Sequence, residues 1–575
     1  MKFWLIFLLA IIGFTGSHAQ LQTRFEHSEG NETASYTEII KWWQKLDAQS
    51  PGVFMKVMGP TDAGEPLHLI LVSKNGIQSA KQINHSKQRV IFINNGIHPG
   101  EPDGIDATML LVRDIVNNKM DLPENIVLGI IPVYNIGGCL NRSTNYRVDQ
   151  NGPEAFGFRG NSQNMDLNRD FIKCDSREAK SFTEIFHLLN PDVFIDNHVS
   201  NGADYQHVMT LLTSQYKKYD NALGEYLHAV LEPALYRSME AKQFPMIPYV
   251  NVWGSTPEKG WTGFWDSPRY GSGYAALFNC FAFVPESHML KPYPQRVKAT
   301  YELMRTFIKV VSEKSTDIKK IRDKAIQETK QADSFPTDWK LDRNQFTNYL
   351  YRGFESEKVI SGVSGLPVLH YDRNKPYQKE IPHYDYYVPV SRVQRPRAYI
   401  IPKGWWKVTD LLKLNKVSMM PIKKDTLIEV ESYKIAGYQS TSTQYEGHHL
   451  NTSVNISSSK KKIQFFKGDW YIPMNQAANR FIIEVLEPQA KDSYFAWNFF
   501  DAILGQKEGF SDYAFEPIAA EYINNNPGLK AKLEAKRQAD TAFAKSAWAQ
   551  LDFVYNHAPW LESAYMQYPV YRVID

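Results

Sequence analysis

Cysteine is nearly absent: 575 residues contain three, Cys139, Cys174 and Cys280. An odd, sparse set is no disulfide framework, and without a Cys-x-x-Cys pair it offers no thiolate metal site. Excess charge of one sign is missing too. A formal net charge of +3 gives no electrostatic reason to expect nucleic acid as a partner. Past the first residues there is no long apolar run, and a mean hydropathy of -0.42 excludes a polytopic membrane protein. No internal repeat, low-complexity linker or Gly-rich nucleotide loop opening a helix is found.

What is present begins at the N-terminus. Lys2 precedes an almost unbroken apolar stretch from Phe3 to Phe14, and Ser17-His18-Ala19 places small residues at the -3 and -1 positions before Gln20. This pattern predicts a cleavable signal peptide over residues 1–19 and a secreted or periplasmic protein with no stable membrane span. Loss of Lys2 takes the formal charge of +3 to +2.

Between Val53 and Glu313 short apolar runs alternate with amphipathic stretches. Leu67–Val72, Val90–Ile93, Ile126–Val133, Val193–Asp196 and Phe281–Val284 are continuous rather than alternating, as in strands buried on both faces. Ile105–Asn117, Ser176–Leu189 and Tyr219–Arg237 read as helices. The expected fold is α/β, a mixed and mostly parallel sheet flanked by helices. A charged periodic helix ends near Pro336, and a first domain is expected over residues 20–335. Residues 336–575 form a C-terminal region that is first β-rich (Leu427–Tyr438 and Ile463–Pro473 as strands, Lys460-Lys461-Lys462 as a turn) and then helical.

Open α/β sheets bind ligands beyond the carboxyl ends of their strands, and three apolar strands here end in chemistry. The first runs into a Gly turn and then His98-Pro99-Gly100-Glu101. An imidazole and a carboxylate three residues apart can converge on one Zn²⁺. The second ends in Asp196-Asn197-His198, a third ligand, with Asp196 able to orient either imidazole; His207 is a weaker competitor. Three protein ligands leave a position open for water, the catalytic form of a zinc site. The third strand ends in Pro285-Glu286, an unusual carboxylate for an apolar segment and the candidate general base. The bland alternative pairs Glu286 with Lys291 or Arg296.

These motifs, in this order, resemble the zinc carboxypeptidases related to carboxypeptidase A, over about residues 35–310. The His₂Glu ligand set is a known property of carboxypeptidase A. Asn164-Met165-Asp166-Leu167-Asn168-Arg169 is similar to the family segment whose Asn-Arg pair binds the substrate's terminal carboxylate. The resemblance implies one zinc per chain on His98, Glu101 and His198, with Glu286 as base and Asn168 and Arg169 as carboxylate anchors. It also implies an upstream arginine that stabilises the oxyanion, Arg147 before Arg159, and a mobile tyrosine, Tyr270 or Tyr274. The partner would be a peptide with a free C-terminal carboxylate. Gly100 and Val199-Ser200 depart from the digestive members, which carry Arg and Ser-Tyr there. Two other readings compete: a related zinc amidohydrolase acting on N-acyl amino acids or cell-wall peptides, and a degenerate binding protein. Tyr445-Glu446-Gly447-His448-His449 is a possible second metal site, though an exposed turn fits it better.

Overall fold

Continuous β-branched and aromatic runs assemble the sheet that carries the site. In the computed structural model, which describes residues 21–574, nine strands form one mixed sheet among the described residues. They are β1 (Val53–Pro60), β2 (Pro66–Ser73), β3 (Arg89–Asn94), β4 (Ile126–Ile131), β5 (Val193–Asp196), β6 (His198–Ser200), β7 (Met209–Thr213), β8 (Ile247–Pro248) and β9 (Phe281–His288). The order is β1-β2-β4-β3-β5-β9-β7-β8, with β6 also paired to β9. The pairs β3–β4, β3–β5, β5–β9, β6–β9 and β7–β8 are parallel; β1–β2, β2–β4 and β7–β9 are antiparallel.

Register decides which side chains meet which layer. Phe92 and Phe194 lie opposite each other and share one face, while Ile93, Ile195 and Phe283 share the other. The first face receives helix Arg177–Leu189, whose Phe182 packs 5.3 Å from Phe92 and 5.6 Å from Phe194. Ser176 caps that helix by accepting from the Ala179 N–H at 3.0 Å, and Asn190 ends it in a left-handed conformation (φ +42°). The second face receives helix Tyr293–Glu313 through Phe307, 5.0 Å from Phe283. Continuous apolar strands are therefore explained by helices on both sides.

Parallel pairing of β3, β5 and β9 brings their carboxyl ends to one edge, with Asn94 beside Asp196 and His198 beside Glu286. Arg296 locks that edge from below. Fully buried, it donates to Asp103 at 2.9 Å and to the carbonyls of Gly152, Lys291, Asn151 and Met289 at 2.8 to 3.2 Å. Arg296→Met would strand the Asp103 carboxylate and four carbonyls, which should destabilise the chain by about 3–5 kcal/mol. The expected readout is a clearly lower thermal-unfolding midpoint; an unchanged midpoint would contradict this role.

Among the described residues, the C-terminal part builds two long hairpins, one of them within a six-stranded sheet, a separate two-stranded pair and a helical cluster. The hairpins pair Thr347–Ile360 with Pro367–Tyr384 and Thr426–Ser440 with Asn451–Phe465. Helices between Asp512 and Tyr555 surround Phe515, Leu533 and Phe543. Two sequence expectations need correction. Ile463–Pro473 is two strands, split by a turn containing Gly468 at φ +96°. Lys460–Lys462 lies inside a strand, with Lys460 and Lys462 opposite Glu431 and Glu429, so cross-strand charge complementarity holds what resembled a solvated turn. The expected signal peptide lies outside the described residues. Among those described, no helix is long and apolar enough to cross a membrane.

Candidate metal centre and active site

Beyond β3, Gly96 turns the chain at φ +65°, a conformation open to Gly without steric penalty. His98 and Glu101 follow, then Pro102 and the helix Asp103–Val116. His198 opens β6 directly after β5. These three side chains are buried, and one ligand atom from each lies within 4.8 Å of the others. His98 Nδ1 is 3.4 Å from Glu101 Oε1, and His198 Nδ1 is 3.1 Å from Glu101 Oε2.

A carboxylate stands behind each imidazole, hydrogen-bonded to His98 and at ion-pair distance from His198. His98 Nε2 lies 3.0 Å from Asp166 Oδ1, and His198 Nε2 lies 3.2 Å from Asp196 Oδ2. Both rings therefore direct Nδ1 inward, the arrangement in which an outer carboxylate fixes the tautomer of a ligating histidine. Two inward nitrogens and one carboxylate suit a zinc ion with an open coordination position. Asp196 thus backs His198 rather than His98. Asp166 backs His98, a role that no spacing in the sequence announces; its one signal is a carboxylate just ahead of the Asn-Arg pair.

Arg147 and Arg159 both reach this centre. Arg147 donates from Nη1 to Glu101 Oε1 at 2.7 Å and from Nη2 to the Val199 carbonyl at 3.2 Å. Gly100 makes this possible, because a Cβ there would sit 2.9 Å from Arg147 Cδ and 3.1 Å from the Gly157 carbonyl. The missing side chain at position 100 is room for Arg147. Arg159 is more exposed, with Nη2 2.9 Å from Asp166 Oδ2 and Nη1 3.7 Å from Glu101. Burial alone would raise the Glu101 carboxyl, but Arg147 and His98 outweigh it and hold the group well below the usual carboxylate range.

Glu286 is the contrasting carboxylate. Lys291 turns to Asp204 at 3.4 Å and Arg296 to Asp103 at 2.9 Å, so neither pairs with it. Burial is the main force on Glu286 and pushes its pKa up to about 8; His198 opposes this and Glu101 reinforces it.

Asn168 and Arg169 sit in a single turn, where the Asp166 carboxylate accepts the Asn168 N–H at 2.9 Å. The Arg169 guanidinium lies 4.6 Å from the centre of the Tyr270 ring. One cleft of about 290 Å³ is lined by His98, Glu101, His198, Glu286, Arg147, Arg159, Asn168, Arg169 and Tyr270. Its walls add Leu212, Tyr249, Phe264 and Val284, which no motif announced. Two sequence candidates are elsewhere. Tyr274 is buried, its hydroxyl donating to Asn415 at 2.6 Å. Both ring nitrogens of His207 face backbone groups, the Pro245 carbonyl and the Arg352 N–H. Among the described residues, His98, Glu101 and His198 are the one group with ligand atoms close enough to hold a metal ion.

A sheet edge that gathers these donors beside an unpaired carboxylate belongs to a metal-dependent hydrolase. The sequence narrows the class: residues 39–207 match the family model of zinc carboxypeptidases. Carboxypeptidase 2 of Trichophyton rubrum is 19% identical over 438 residues, covering 71% of this chain and 73% of the relative. Carboxypeptidase 2 of Trichophyton equinum is 19% identical over 498 residues, covering 81% and 84%. A metallo-carboxypeptidase from Burkholderia cenocepacia superposes with a TM-score of 0.37 at 15% identity, over 49% of this chain and 70% of that one.

Proposed function

We propose that this protein is an exported, single-zinc metallocarboxypeptidase that removes C-terminal residues from peptides. The supporting observation is that the inward-facing His98, Glu101 and His198 share one cleft with Glu286 and with the Asn168-Arg169 turn. Zinc, when bound by those three residues, supplies a Lewis acid that polarises the scissile carbonyl and acidifies water. Glu286 takes the proton from the attacking water and returns it to the leaving amine. Arg147, which lines the same cleft beside Glu101, stabilises the oxyanion. Asn168 and Arg169 grip the terminal carboxylate, the guanidinium fork being suited to bidentate pairing. Arg159 and Tyr270 complete the substrate contacts. Residues 20–335 are taken as the catalytic domain and residues 336–575 as a C-terminal region.

A matched pair of peptides, one with a free C-terminus and one amidated, tests this reading. The free peptide should be cleaved at least about a hundredfold better, because amidation leaves the half-buried clamp without its anion. Arg169→Ala should erase that preference. Arg147→Ala should lower kcat on the free peptide, while Arg159→Ala should chiefly raise KM. Equal cleavage of the two peptides by the wild-type enzyme would point to an amidohydrolase or endopeptidase instead.

A further inference from the structure

The Tyr445-Glu446-Gly447-His448 turn joins the strands Thr426–Ser440 and Asn451–Phe465, more than 270 residues after the Asp166–Arg169 segment. It docks at the carboxylate clamp. Glu446 Oε2 accepts the backbone N–H of Asp166 at 2.8 Å. Asp166 is the residue that backs His98 and caps the turn bearing Asn168 and Arg169. Beside it, His448 Nε2 lies 2.8 Å from Asp175 Oδ2, and Tyr445 lies under the Arg269 guanidinium at 5.4 Å. Asp492, also C-terminal, receives the Arg269 N–H at 3.0 Å and its guanidinium at 2.6 Å, and Arg269 precedes Tyr270 in the cleft wall.

We propose that Glu446 is a positioning residue of the metal centre, acting through Asp166 on His98 and on the Asn168-Arg169 clamp. Three observations converge. A carboxylate acceptor makes a stronger hydrogen bond to a backbone N–H than a neutral one. Among the described residues no Lys or Arg lies within ion-pair distance of Glu446, so the backbone contact is the one its charge serves. Glu446 also occupies φ +49° and Gly447 φ +80°, a left-handed conformation unfavourable for Glu and free for Gly. A turn selected for stability alone would carry Gly or Asn at position 446. The C-terminal region is thereby part of the catalytic centre, fixing the peptide segment that orients one zinc ligand and both carboxylate anchors. The inference rests on the zinc reading of the site.

The test uses the full chain and zinc affinity measured by chelator competition, with thermal unfolding alongside. Glu446→Gly relieves the left-handed strain, so its melting temperature should stay close to wild type while zinc binds about tenfold more weakly, the lower end of what loss of an outer-shell partner does. Glu446→Gln keeps an acceptor oxygen and should recover most of that loss. Wild-type zinc affinity in Glu446→Gly overturns the proposal. So does a weakening that glutamine fails to rescue, or one that appears only with a fall in melting temperature, either of which makes the turn a structural anchor. A wild-type chain that binds no zinc overturns both this proposal and the reading of the site.

Discussion

Glu286→Gln is expected to retain zinc at wild-type stoichiometry and to hydrolyse peptides about 10²–10⁴-fold more slowly, the range that a positioned general base contributes. The substitution is nearly isosteric and replaces a proton-accepting carboxylate with a neutral amide that cannot act as a base. Glu286 sits at the end of β9, opposite His198 in the parallel register, so its backbone is held by the sheet and should not move. Burial raises its pKa to about 8, with Glu101 reinforcing the shift and His198 opposing it. A divalent ion beside it would favour the carboxylate form and bring the group down toward neutral pH, where a base is most effective. A Glu286→Gln enzyme with full zinc and undiminished turnover would remove Glu286 from the reaction.

The core of the fold was legible because its strands are buried on both faces. Runs such as Val90–Ile93 and Val193–Asp196 carry no polar face to confuse their period, and helices on each side of the sheet account for them. The three strand ends were legible for a related reason: a carboxylate or imidazole after an apolar run stands out. What could not be read is whatever depends on distant chain segments meeting. Asp166 backs His98 across 68 positions, and no local spacing encodes that contact. Gly100 marked a departure from the family pattern, yet only the packed chain reveals that Arg147 fills the space above it. Tyr274 follows Tyr270 by one helical turn, but the helix Gly271–Ala276 directs it into the core toward Asn415. Lys460–Lys462 resembled a solvated turn because the pairing with Glu429 and Glu431 lies across a hairpin.

The second large effect concerns the ligands themselves. His198 contributes Nδ1 to the converging set while Asp196 stands behind its Nε2. Truncation to alanine leaves His98 and Glu101, two donors from one loop, and two protein ligands do not make a zinc site of this type. Loss of an outer-shell partner alone weakens metal affinity by about 10–100-fold, so loss of a direct ligand should exceed that. The effect should be local, because His198 opens a three-residue strand whose pairing is through the backbone.

The most direct measurement is therefore zinc content after exhaustive dialysis, taken on the wild-type chain and on His198→Ala under identical conditions. One equivalent of zinc in the wild type and essentially none in the variant, with both chains folded, is the predicted result. A His198→Ala chain that keeps a full equivalent would contradict a metal centre built from His98, Glu101 and His198.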